Sequence, residues 1–215
     1  MDALITKLKG VAENKNLELF DAFRAVIYPK ATMGTGAVRF AWNRELTFSY
    51  KLNGEDVEQH YQGRGSENDV YFAFSLINEP TECIVYPQSV IYNLLCWNIR
   101  YDINIYAFKQ SLTNINIGDH ISDNNPPHLY GSINSLGRLI NLTSLNINRS
   151  ECYGNLDQLA RDQISFGRTS GSLTIYANDG VVESQIYSDS GARWHNTFAI
   201  TFDTSLEKGY SISNI

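Results

Sequence analysis

The 215-residue sequence contains few of the residues that cross-link small scaffolds. Its three cysteines make an odd number without Cys-x-x-Cys spacing, which argues against a zinc ribbon, a redox motif and a disulfide framework. We expect them to be buried, reduced thiols. None of the four histidines has the His-x-His or His-Glu-x-x-His spacing of a metal site. We therefore expect no bound metal.

Basic residues and long apolar runs are also scarce. Seventeen Lys and Arg face twenty-three Asp and Glu, for a formal net charge of −6, and the basic residues are scattered. This distribution argues against phosphate-driven binding of nucleic acid. The sequence has no apolar run of about 18 residues, and its N-terminus lacks the apolar core of a signal peptide. We expect a protein that folds in a cytosol and does not enter a membrane.

Catalytic motifs are missing as well. The sequence has no Gly-x-Ser-x-Gly elbow, P-loop or dinucleotide-binding glycine pattern. Carboxylates at 55–58 and 179–189 could face a glycan, but acids in turns and on the surface are the commoner explanation. Asp119, His120, Asp123 and His128 lie close together in the sequence, yet their spacing fixes no ligand geometry. We expect no catalytic residues and no cofactor.

The sequence does contain many short β-type segments, which predict a mainly β fold with a few short helices. Residues 1–30 form an N-terminal segment, in which 4–11 has helical spacing and 19–27 fits either a helix or an alternating strand. Residues 31–110 alternate aromatic and polar side chains between turn signals such as Asn53-Gly54. That pattern predicts an antiparallel β domain.

Residues 111–215 contain an internal repeat. The segment Tyr130-Gly131-Ser132-Ile133-Asn134-Ser135-Leu136-Gly137 recurs in degenerate form 23 residues later (153 − 130 = 23). The longer unit, residues 131–147, reads Gly-x-Ile-x-x-Leu-Gly-x-Leu-x-Asn-Leu-x-x-Leu-x-Ile, with partial copies at 112–117 and 171–175. Its spacing predicts a short strand with alternate apolar residues facing inward, followed by a return segment that packs onto them.

This unit resembles a leucine-rich repeat. Together with Gly167-Arg168-Thr169-Ser170-Gly171 and a terminal β-hairpin, it resembles repeat-bearing proteins encoded by Bacteroides and by the crAss-like tailed phages that infect them. The resemblance covers residues 112 to about 180. It implies an antiparallel β unit followed by a short, degenerate leucine-rich-repeat-like solenoid segment.

The same resemblance implies a virion or surface-associated structural protein, such as a head fibre, a capsid-decoration protein or a tail component. The lack of a signal peptide favours the phage reading, in which the chain folds in the bacterial cytoplasm and then joins the virion. Its expected partners are other virion proteins and further copies of itself. The alternative is a glycan-binding module that recognises bacterial surface polysaccharide.

The candidate partner-binding residues lie between the inward positions of the repeat strands. In a strand such residues point outward, and here they are Asn114, Asn116, Ser144, Asn146, Thr174 and Tyr176. A polar insertion at 119–125 adds Asp119 and Asp123, because a loop at the edge of stacked repeats can be altered without disturbing the buried leucines. We expect contacts with partners along these strands and this loop.

The repeat also predicts which strand residues stabilise the fold. We expect Leu145→Ala to lower the free energy of unfolding by roughly 2–5 kcal/mol, because Leu145 is the central inward residue and its truncation leaves a cavity. Asn146→Ala, one residue further along the strand, should cost much less. Chemical denaturation of both variants tests the register, and equal losses would show that the strand faces the other way.

Overall fold

Two β-sheets organise the part of the chain that the computed structural model describes. This part comprises residues 21–28, 37–52, 54–66, 71–73, 79–97, 101–117, 128–148, 150–177, 185–191 and 197–215. Its strands are β1 (Phe23–Ile27), β2 (Ala37–Trp42), β3 (Leu46–Leu52), β4 (Glu55–Tyr61), β5 (Tyr71–Ala73), β6 (Thr81–Tyr86), β7 (Ile91–Trp97), β8 (Tyr101–Asn104), β9 (Asn114–Asn116), β10 (His128–Ser132), β11 (Ser144–Asn146), β12 (Glu151–Asn155), β13 (Ser170–Tyr176), β14 (Gln185–Tyr187), β15 (Thr197–Asp203) and β16 (Tyr210–Asn214).

Helical structure is sparse in these residues. An α-helix, α1, spans Leu156–Ser165, and short 3-10 helices span Gln88–Val90, Ile105–Ala107 and Ile133–Arg138. Sheet A has the strand order β14-β12-β10-β8-β1-β6-β3-β4, and sheet B has the order β16-β15-β13-β11-β9-β7-β2-β5. The predicted mainly β fold with a few short helices is confirmed.

The first half of the described chain is antiparallel. β1 pairs with β6 and β8, and its residues Phe23, Ala25 and Ile27 are buried while the two between them are half-buried. This alternation confirms the strand interpretation of this run over the helical one. β3 and β4 form a hairpin whose turn contains Gly54 at a φ of 84°. The helix predicted at residues 4–11 lies outside the described residues.

From β7 to β14, successive strands alternate between the two sheets and pair in parallel with the preceding strand of this series in the same sheet. Sheet B gains β7, β9, β11 and β13, while sheet A gains β8, β10, β12 and β14. We call one strand of sheet A, the connection after it and the next strand of sheet B a coil. Asn114, Ser144 and Thr174 lie side by side in successive coils, 30 residues apart (144 − 114 = 30; 174 − 144 = 30).

Both sheets continue across residue 110, where the sequence predicts a domain boundary. β7 pairs with β2 on one side and β9 on the other, and β8 lies between β1 and β10. One cluster of buried hydrophobic side chains runs from Phe23 to Tyr210. The division into 1–30, 31–110 and 111–215 stays a prediction, and strands on both sides of residue 110 share their sheets.

The inward positions of the coils carry aliphatic side chains. Ile115, Leu145 and Ile175 are paired neighbours in sheet B, and all three are fully buried. The inward orientation predicted for Leu145 is therefore confirmed. Two threonines reinforce the stacking, because Thr113 Oγ1 donates to the carbonyl oxygen of Tyr92 at 2.8 Å and Thr143 Oγ1 donates to that of Thr113 at 2.9 Å.

The repeated Tyr-Gly pair marks the places where adjacent coils come closest. Gly131 has a φ of 120°, and a Cβ there would lie 2.7 Å from Ile105 Cγ2. Gly154 has a φ of 142°, and its Cβ would lie 2.7 Å from both Asn134 Oδ1 and Ile133 Cγ1. Glycine is required at both positions because a side chain would have neither the backbone conformation nor the space it needs.

The Gly-Arg-Thr-Ser-Gly segment contributes a buried cation. Arg168 donates from Nη1 to the Leu142 carbonyl at 2.7 Å and to Gln163 Oε1 at 2.9 Å, and from Nη2 to the Ser172 carbonyl at 2.8 Å. Its guanidinium lies 4.2 Å from the centre of the Phe202 ring. Burial lowers the pKa of Arg168 to about 10, so the group stays charged at neutral pH and holds α1 against two coils.

Two features differ from the sequence-based interpretation. The second Tyr-Gly copy leads into α1, whereas the first leads into a 3-10 helix. Asn155 caps α1 by accepting the Gln158 N–H at 2.8 Å, which satisfies a donor that the helix leaves open. Residues 197–203, which the sequence predicts as the last strand, form β15, and a further strand, β16, pairs with it in antiparallel fashion.

The close approach at Gly154 gives a test of the coil packing. Gly154→Ala should cost about 2–4 kcal/mol of unfolding free energy, because the Cβ meets a positive φ and two neighbouring side chains. Gly167→Ala is the matched control, since Gly167 has a φ of 102° and open space around a Cβ; it should cost about 1 kcal/mol. Equal losses in urea denaturation would rule out coil contact as the cause.

Candidate partner-binding surfaces

The outward residues predicted from the repeat come together on sheet B. Strand register places them in two adjacent rows, Asn114-Ser144-Thr174 and Asn116-Asn146-Tyr176. We call these six residues the polar face. Tyr176 is 40% exposed, and the other five are half-buried.

Two asparagines in the middle of the polar face form a hydrogen bond with each other. Asn146 Nδ2 donates to Asn116 Oδ1 at 2.9 Å, and Asn146 Oδ1 accepts the Asn148 N–H at 3.1 Å. These bonds reinforce the stacking of the coils and leave the two amides with fewer groups for a ligand. Ser144, Thr174 and the Tyr176 ring surround this pair as a hydrogen-bonding and stacking surface.

Two of the predicted partner-binding residues belong to the loop at 119–125. Asp119 and Asp123 lie outside the described residues, so their role in binding stays a prediction. His120 also lies outside the described residues. Among the described residues no group of three or more His, Cys, Asp or Glu side chains is arranged to hold a metal ion.

A second surface, on sheet A, was not nominated from the sequence. Three tyrosines, in the coils that begin with β8, β12 and β14, are strongly exposed there: Tyr106 by 58%, Tyr153 by 49% and Tyr187 by 42%. Tyr153 and Tyr187 alternate with the buried Cys152 and Ile186, so their rings point away from the core. Tyr106 follows β8 at the start of a 3-10 helix. We call these three residues the tyrosine face.

The sequence did contain a signal for one residue of this face, Tyr153. Tyrosine precedes both glycines of the repeated pair, and Tyr130 lies next to Asn104 and Glu151 in the register of sheet A. The glycine must be at the close contact between coils, so the residue before it falls on the outer side of the strand. The repeated dipeptide therefore predicts an outward aromatic in each of these two coils.

A polar cleft lies between α1 and β16. It has a volume of about 270 Å³ and is lined in part by Asp157, Asp189, Lys208 and Tyr210. Asp157 accepts the Tyr210 hydroxyl proton at 2.7 Å and the Asp189 N–H at 2.9 Å. These bonds tie the first turn of α1 to the β16 strand and to the segment after β14.

The electrostatics of this cleft follow from those contacts. Burial, together with the bond to Asp157, raises the pKa of Tyr210 to about 12, so its hydroxyl remains protonated and donates at neutral pH. Arg161, whose Nη1 lies 2.7 Å from Asp189 Oδ2, holds the pKa of that carboxyl below its usual range. The cleft therefore presents the ionised carboxylate of Asp189 and a protonated phenol.

The three cysteines lie in the interior of the protein. Cys83, Cys96 and Cys152 are buried and not disulfide-bonded, as predicted. Burial raises the pKa of the Cys152 thiol to about 12 and also raises that of Cys83, which disfavours the thiolate.

The carboxylates at 55–58 lie on β4, where Asp56 is 3.7 Å from Lys51 Nζ and Glu58 is 2.8 Å from His60 Nε2. This places them along an outer strand of sheet A. Asp179 and Glu183 lie outside the described residues.

Comparison with protein-family models, curated proteins and solved structures finds no match to this chain. Among the described residues, none of the helices has the length and apolar character needed to cross a membrane. The inferences about function therefore rest on the surfaces described above.

The Asp157 contacts generate a stability prediction. Tyr210→Phe should lower the free energy of unfolding by about 1–3 kcal/mol, because it leaves a buried carboxylate oxygen without its donor. Tyr187→Phe, which removes a hydroxyl from an exposed ring, should change it by less than about 0.5 kcal/mol. Urea denaturation at neutral pH compares the two, and a loss no larger at Tyr210 than at Tyr187 would refute this role.

Proposed function

We propose that the chain is a non-enzymatic structural protein of a tailed-phage virion, a head fibre, capsid-decoration protein or tail component, that works through protein–protein assembly. The tyrosine face is the observation that carries this proposal. Tyrosine provides a large, rigid contact area at a low entropic cost and is enriched at protein interfaces. Tyr106, Tyr153 and Tyr187 supply that composition on one sheet.

The coils support the resemblance from which the virion assignment comes. We propose that they form a short, degenerate leucine-rich-repeat solenoid built onto an antiparallel β unit. Parallel pairing in both sheets and the buried row Ile115-Leu145-Ile175 fit stacked repeats, in which each unit covers its neighbour. β1 in sheet A and β7 in sheet B cover the first coil, and β2 continues sheet B beyond β7.

A second candidate is a module that binds bacterial surface polysaccharide. The polar face favours it, because hydroxyl and amide groups lie in rows beside the exposed ring of Tyr176. Such a surface can hydrogen-bond to sugar hydroxyls and stack on a sugar ring. The two candidates use opposite sheets, so they can be separated by substitution.

The double variant Tyr153→Ser/Tyr187→Ser tests the virion proposal, with Tyr176→Ser on the other sheet as its control. We expect the double variant to weaken binding to virion proteins by about tenfold or more, since aromatic anchors dominate interfaces. Tyr176→Ser should leave that binding unchanged. The assay is sedimentation of the purified chain with each structural protein encoded beside it, together with a glycan array.

Three results would contradict this assignment. A chain that stays monomeric and binds none of those proteins removes its basis. Glycan binding that is lost in Tyr176→Ser and retained in the double variant would favour the polysaccharide module. Equal effects of all the substitutions would show that neither face is specific.

A further inference from the structure

We propose that β16 is the edge through which two copies of this chain pair, so that sheet B runs continuously across a dimer. This inference rests on the proposed assembly function and names one of its partners. β16 is the outermost strand of sheet B, and among the described strands it pairs with β15 alone.

The hydrogen-bonding groups on the outer side of β16 can be identified from its register. Asp203 donates its N–H to the Gly209 carbonyl at 3.0 Å, and Ile215 donates to the Thr197 carbonyl at 3.1 Å. Antiparallel strands alternate between residues bonded to a neighbour and residues turned away from it. Tyr210, Ile212 and Asn214 therefore direct their N–H and C=O groups away from β15.

The composition of this edge leaves it open to pairing. Residues 209–215 read Gly-Tyr-Ser-Ile-Ser-Asn-Ile and contain neither a charged side chain nor a proline. Of the two outer strands of the described sheet A, β14 and β4, the strand β4 carries Glu55, Asp56 and Glu58. Charges and prolines on an outer strand oppose pairing with another chain. β4 has that protection and β16 lacks it.

A second copy of the same strand fits this edge. If a two-fold axis passes beside Ile212, antiparallel pairing sets Ile212 opposite Ile212 of the second copy and Tyr210 opposite Asn214. The outward groups of these three residues can then form about six N–H···O bonds. No like charges meet along the strand, whereas β4 paired with itself would bring carboxylates together.

The side chains of β16 are also compatible with pairing to a second copy of the chain. Opposed residues of an antiparallel pair lie on one face of the sheet, so Ile212 of the second copy would fall on the side to which the half-buried Ile212 points. That side contains the cleft of about 270 Å³, which Ile212 itself lines. On the outer face, the exposed Ser211 would meet Ser213 of the second copy, a pairing of small polar side chains.

Two variants block this edge by different means. Asn214→Pro removes an outward N–H while leaving the bonds to β15 in place, since proline is tolerated where a strand faces no neighbour. Ser213→Lys places a charge on the outer face of the edge strand in each copy. Ser172→Lys is the matched control, because Ser172 is equally exposed on β13, in the interior of the same sheet.

Sedimentation velocity of the full chain over a wide concentration range measures the pairing. We expect the parent and Ser172→Lys to dimerise, and both edge variants to raise the dimer dissociation constant by at least about tenfold. Thermal unfolding confirms that each variant is folded. If Asn214→Pro does not fold, Ser213→Lys still tests the edge. A dimer that survives in folded edge variants overturns the β16 assignment and leaves assembly intact.

A parent that stays monomeric at every concentration also overturns self-pairing. If such a monomer binds a virion protein and loses that binding in Asn214→Pro, β16 accepts a strand from another protein instead. The virion proposal is judged separately by the tyrosine-face variants, which leave β16 unchanged. Failure of the edge and failure of the proposed function therefore give different results.

Discussion

Contact between successive coils at Gly131 and Gly154 is the constraint on which the parallel half of the structure depends. A Cβ at either glycine would lie within 3 Å of the preceding coil, so the backbones can approach only because these residues lack side chains. That approach lets β10 and β12 pair at the ordinary strand separation of about 4.8 Å in sheet A. The buried row of Ile115, Leu145 and Ile175 and the bond between Asn116 and Asn146 form at the same separation.

Polar groups inside the structure hold the helical connection to this stack. Arg168 reaches carbonyl oxygens of Leu142 and Ser172, and Gln163 bridges from α1 to the carbonyl of Leu139 at 3.2 Å. A buried cation is costly to desolvate, and its bonds to carbonyl dipoles offset part of that cost. These bonds need a fixed geometry, so they favour one arrangement of α1 over others that would bury the same leucines.

Much of the fold could be predicted from local patterns, and some of it could not. Alternation predicted strands between residues 31 and 110, of which β2 is one, and the spacing around Leu145 gave its inward direction, because burial has a period of two in a strand. The parallel pairing of β8 with β10 joins residues that are too far apart in the sequence for a local pattern to connect them. Spacing alone did not show that Asn116 and Asn146 bond to each other. The tyrosine face was missed because only Tyr153 of its three residues belongs to a repeated Tyr-Gly pair, so no shared sequence pattern marks all three.

The alternation of strands between two sheets also determines how a protein of this type can change in length. One additional coil would insert a single strand into each sheet. It would move β16 about 4.8 Å further from the antiparallel first half of the chain. The buried leucines would meet the same kind of neighbours, and the first half would need no adjustment. The stack can thus act as a molecular ruler, in which the number of coils sets the distance between the two ends of the protein.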